Sequence, residues 1–171
     1  MSSPPHPVDV DPLHNRPVAR HDAVSVLGIL VPMTALETYP PTLAPLPTDE
    51  ELADFVDDFC LEPCDMRAIL WMYLDDDGVP LAPPIAVSGC PAVPTRGEAE
   101  LYATRIVEVA GWVEAASVLL VWQNDDESLS ASFDDQRWAQ AILSCVDPGG
   151  LTIHPPMRRT PTDVSRLVLA G

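Results

Sequence analysis

The sequence predicts an α/β fold in which helices cover a mixed sheet. Three observations carry that prediction. Helix starts marked by capping boxes alternate with apolar runs too short to be helices. Six of the seven residues in Ala116–Trp122 are apolar, the signature of a strand buried on both faces. The chain has 171 residues and 47% hydrophobic content, enough for one domain with a real core.

Residues 1–47 hold ten of the 20 prolines and three of the four histidines. They are expected to form a Pro-rich N-terminal segment, either partly disordered or packed on the domain, with the folded domain spanning 48–171. His6, His14 and His21 lack metal-ligand spacing and read as solvated tail residues. The apolar run 23–36 follows Arg16 and Arg20, but it starts late, follows several aspartates and has no cleavage site, unlike a signal peptide. It is also too short to span a bilayer.

The first helix should start at Thr48, which forms a capping box with Glu51. Leu52, Phe55, Val56 and Phe59 supply its apolar stripe to about Cys60. Arg67–Leu74 reads as a strand that turns at Asp75-Asp76-Asp77-Gly78, and Ile85–Ser88 as its return, stopped by Gly89 and Pro91. Thr95 and Glu98 cap a second helix with Ala99, Tyr102, Ile106, Val109, Ala110 and Val113 on one side. The Ala116–Trp122 strand comes next, then an acidic loop. Ser132 and Asp135 have capping-box spacing for a third helix, whose buried face should hold Trp138, Ala141, Ile142 and Cys145. Leu151–His154 and Val164–Leu169 are expected as short closing strands around a Pro-rich turn. The order implies two or three layers.

Charge narrows the function. The chain has 26 acidic residues against nine arginines and no lysine, a formal net charge of −17. Such a surface repels nucleic-acid phosphates and anionic membranes, so neither is an expected partner. A protein or peptide partner of basic character is compatible with it, as is a homodimer. The cysteines (60, 64, 90 and 145) lack a second pair at zinc-site spacing and read as reduced thiols, which points to the cytoplasm. No nucleophile elbow or phosphate loop is present.

The stretch from Trp122 to Asp135 resembles the core of the JAB/JAMM metallohydrolase domain, particularly its RadC-like branch. That motif is His-x-His, seven residues, Ser, two residues, Asp. Laid on this chain without a gap, it falls on Trp122 and Asn124, then Ser132, then Asp135. The similarity covers roughly 48–169, and implies cytidine-deaminase-like layering of sheet and helices. In the family the two His and the Asp bind zinc, while the Ser and a distant Glu assist the activated water. Both His positions are replaced here. Asp65, the acidic residue nearest the expected Glu, is out of register by about two positions.

What remains cannot make a catalytic zinc site. Trp122 has no lone pair for a metal, and Asn124 offers only a neutral amide oxygen. Asp135 alone cannot hold zinc. The expectation is therefore no catalytic residue, no metal and no cofactor: a non-catalytic module that binds or scaffolds protein. Asp125, Asp126 and Glu127 are its candidate contact loop, and Trp122 is either a contact or core. One alternative is a hydrolase with an unconventional Cys90, His154 and Asp135 set or an unusual metal site. Another is an unrelated acidic α/β protein.

Overall fold

The computed structural model describes residues 40–60, 65–147 and 149–169. The run 23–36, the three N-terminal histidines and Cys64 lie outside them. Of the Pro-rich segment, Pro40–Pro47 are described, and Leu43 there is 3% exposed. The Leu43 N–H donates to Gly78 O at 2.9 Å. Gly78 has φ +75°, and a Cβ there would sit 1.9 Å from Leu43 O, so only glycine fits this crossing.

The element order is α1 (Asp49–Phe59), β1 (Ala68–Leu74), β2 (Ile85–Ser88), α2 (Arg96–Trp112), β3 (Ser117–Gln123), α3 (Leu129–Cys145), β4 (Thr152–Ile153), β5 (Met157–Arg159) and β6 (Val164–Arg166). The fold is α/β with a mixed sheet, as the sequence predicts. Both expected capping boxes form, at Thr48–Glu51 and Thr95–Glu98.

The sheet runs β2-β1-β3-β5-β6, with β4 also beside β3. At its centre, β3 pairs antiparallel with β1 over its whole length, from Ala68↔Gln123 to Leu74↔Ser117. On its other side β4 and then β5 run parallel to it, like one neighbouring strand broken at His154-Pro155-Pro156. Proline cannot donate to the ladder, which accounts for the break. Every residue of β1 and β3 is buried.

Alternate side chains of β1 and β3 feed two cores. Ile69, Trp71, Tyr73, Val118, Leu120 and Trp122 pack with Ile106 of α2 and Trp138 and Ile142 of α3. Leu70, Met72, Leu119 and Val121 pack on the opposite face with Leu52, Phe55 and Val56 of α1. A helical layer therefore lies on each side of the sheet.

Two sequence expectations are corrected. The N-cap of α3 is Ser128, whose Oγ accepts the Ala131 N–H at 3.2 Å. Ser132 lies inside the helix, and its N–H bonds Ser128 O. The helix thus starts one turn earlier than Ser132, and Ala139, rather than the half-buried Ala141, joins its buried face. Second, the Pro-rich turn holds a strand. Met157–Arg159 pairs with both β3 and β6, although three residues flanked by proline carry almost no propensity signal.

Candidate binding site at the end of the central strand

Strand β3 ends at Gln123, where the chain enters the acidic loop ahead of α3. Asn124 and Asp135 are both buried here. Of the four degenerate motif positions, these two meet: the Asn124 amide donates to Asp135 Oδ2 at 3.4 Å. Trp122 is 2% exposed and belongs to the core, so it is no surface contact. Its indole N–H has no acceptor among the described residues. Ser132 is half-buried one turn before Asp135.

Asp135 is not a helix cap. Its side chain is enclosed, and Arg67 Nη2 lies 3.3 Å from Oδ1 while Arg158 Nε lies 3.2 Å from Oδ2. A carboxylate withdrawn from water needs such partners, because an unpaired buried charge is very costly. Burial pushes its pKa above the ordinary 3.8, against the Asn124 hydrogen bond and the Arg158 and Arg67 guanidiniums, which pull it down.

This donor set does not fit zinc. A metal at Asp135 would have to displace or sit beside two guanidinium groups already in contact with the carboxylate. Among the described residues, no group of three His, Cys, Asp or Glu side chains is placed to hold a metal ion. Asp65 is exposed.

Arg158 also ties the loop down. Arg158 Nη2 donates to Asp126 O at 2.8 Å. Asp126 N–H donates to Asn124 Oδ1 at 3.0 Å, and Ser128 N–H donates to Asp126 Oδ1 at 2.8 Å. These are successive Asx-type turns, which hold a short polar loop in one conformation. The Ser128 bonds keep the Asp126 pKa below the usual range. The Thr162 hydroxyl donates to Glu127 Oε1 at 2.6 Å. Arg159 bridges Gln123 Oε1 and Cys60 O, each at 2.8 Å, which fixes the strand end from the α1 side.

Asp125, Asp126 and Glu127 are exposed on this braced loop. Directly behind it, Leu129 is 79% and Phe133 57% exposed. Residues four apart share a helix face, so the two form an apolar step beside the carboxylates.

Cys90 and His154 lie apart from this network. The Cys90 thiol is 3.3 Å from the Tyr102 hydroxyl. His154 is 8% exposed, with its N–H on Val118 O, near the opposite end of β3 from Asn124. Among the described residues, no hydrogen bond or ion pair joins either of them to Asp135.

Sequence reading missed Arg67, Arg158 and Arg159 as site residues, and the apolar pair Leu129 and Phe133. Arg67 carried a signal, because it opens a strand legible in the sequence; Arg158 and Arg159 carried none, because strand β5 forms only between β3 and β6. Comparison with protein families, curated proteins and solved structures finds no match.

Proposed function

We propose that this domain is a non-catalytic protein-binding module that presents a fixed acidic loop and an adjoining apolar step. The pairing of Asp135 with Arg67 and Arg158 carries the reading. At the position where the JAB/JAMM-like motif would place a zinc ligand, the carboxylate is neutralised by guanidinium instead. Its charge then serves to anchor the loop rather than to activate water. A RadC-like scaffold that has exchanged its metal for internal ion pairs is the ancestry this reading favours.

The loop suits a basic partner segment with an apolar side chain. Asp125 and Asp126 offer charge, while Leu129 and Phe133 offer contact area. Because hydrogen bonds already order the loop, binding avoids much of the entropy cost of fixing it. Charge in the rim sets association rate and salt dependence, and the apolar step sets residence time.

The test pairs metal analysis with binding to an array of Arg/Lys-rich peptides, with and without an aromatic residue. The expected result is no stoichiometric metal, and binding that weakens with salt and falls at least about tenfold in Phe133→Ala. About one zinc per chain, or peptide binding indifferent to both Phe133→Ala and Asp125→Asn, would overturn it.

A further inference from the structure

The two edges of the sheet are defended differently. Strand β6 is three residues long, and its Arg166 is paired with Asp49 of α1 at 3.2 Å. A short edge that carries a charge resists pairing with another chain. Strand β2 is nearly as short, at four residues, but carries no charge. Among the described residues it pairs only with β1, and its residues, Ile85–Ser88, are exposed or half-buried.

The neutral zone is wider than the strand. Residues 78–95 contain no Asp, Glu, Arg, Lys or His, although the chain has a net charge of −17. None of these residues is buried. Leu81, Ile85 and Val93 are 41%, 38% and 56% exposed. A continuous uncharged, largely apolar strip is what an interface core requires, and a monomer seldom displays one this long.

We propose that β2 is a self-association edge, on which a second copy of this chain pairs antiparallel through its own Ile85–Ser88 about a two-fold axis. Electrostatics selects the second copy. Two bodies of net charge −17 repel wherever their charged faces meet, and 78–95 is an exposed or half-buried strip on which neither copy brings a charge. A strongly basic or acidic partner would gain nothing there. Antiparallel pairing of one strand with itself needs no second complementary surface, as a closed two-fold contact demands. Pro83-Pro84 and Pro91 flank the strand, so the ladder cannot extend beyond it, and pairing ends at a dimer rather than a fibre.

The test is sedimentation velocity of the full chain over a range of concentrations at low and high salt, with wild type, Ala86→Asp and Ser88→Asp. Both substituted positions are exposed, and circular dichroism verifies that each variant is folded. The wild type is expected as a dimer of two 18.5 kDa chains. Salt should tighten it, because screening removes like-charge repulsion while the apolar contact persists. Each variant places a carboxylate on both copies of the edge, so association should weaken at least about tenfold. A wild type that stays monomeric at every concentration and salt overturns the proposal. So does a dimer that both folded variants leave intact, or one that salt dissociates.

Discussion

Asp135→Ala is the substitution on which the account of the site depends most. It removes a carboxylate whose residue is 0% exposed and leaves two guanidiniums facing the gap. Breaking a buried ion pair from one side costs about 3–5 kcal/mol. Two features reduce that here. The Arg67 side chain is 28% exposed and can turn to water, and Arg158 keeps its bond to Asp126 O. A loss of about 2–4 kcal/mol follows. For a domain of this size it corresponds to a fall in Tm of roughly 5–15 °C. Urea and thermal unfolding followed by circular dichroism measure it directly. Replacing all three residues together (Asp135→Leu, Arg67→Met and Arg158→Met) should recover about half or more of the loss, since apolar residues remove the desolvation cost of the ions. Chelator should leave the wild-type Tm unchanged, whereas a zinc-held Asp135 would make chelation mimic the substitution. An Asp135→Ala loss below about 0.5 kcal/mol, the range of ordinary surface changes, would refute the reasoning.

Three further outcomes are expected. Ser128→Ala should cost about 1 kcal/mol by removing the α3 cap, while Ser132→Ala should stay within about 0.5 kcal/mol; the reverse order in urea midpoints would restore the cap to Ser132. Gly78→Ala should cost roughly 2 kcal/mol or more, from its positive φ and the collision with Leu43 O, and a neutral result in the same assay would place Leu43 outside the fold. Burial lowers the pKa of His154 below its ordinary 6.5. The unfolded chain then binds this proton more readily than the folded one. The His154 contribution is therefore complete above 6.5 and is lost as pH falls toward the depressed folded value. His154→Gln should flatten the part of the stability profile that falls away below the ordinary 6.5, measured by urea midpoints.

The elements most legible in sequence are those whose determinants are local. Thr48 with Glu51 and Thr95 with Glu98 close their capping boxes within one turn of chain. The apolar runs at 68–74 and 117–123 become strands because such a run is too short for a helix and too apolar for an edge. Ser132 and Asp135 show the limit of the same logic. Their spacing suits a capping box, but Ser128 also precedes a helical stretch, and spacing alone does not choose between the two. The choice follows from Asp135, which is drawn inside by Arg67, 68 positions away, and Arg158, 23 positions away. Strand β5 was hidden for a related reason: three residues become a strand only where β3 and β6 lie on either side to complete their hydrogen bonds.

By itself, then, the sequence determined the α/β class, two helix starts, the central strand and a net charge adverse to nucleic acid. These depend on residues within a turn of one another or on composition. Tertiary structure decided the rest: that Trp122 is core, that Asp135 is an internal counter-ion rather than a cap, that Arg158 lies on a strand, and that β2 is an uncharged edge of the sheet among the described residues. Each of these depends on which distant groups share a small, poorly hydrated space. In that space the cost of an unpaired charge or an open ladder far exceeds any local propensity.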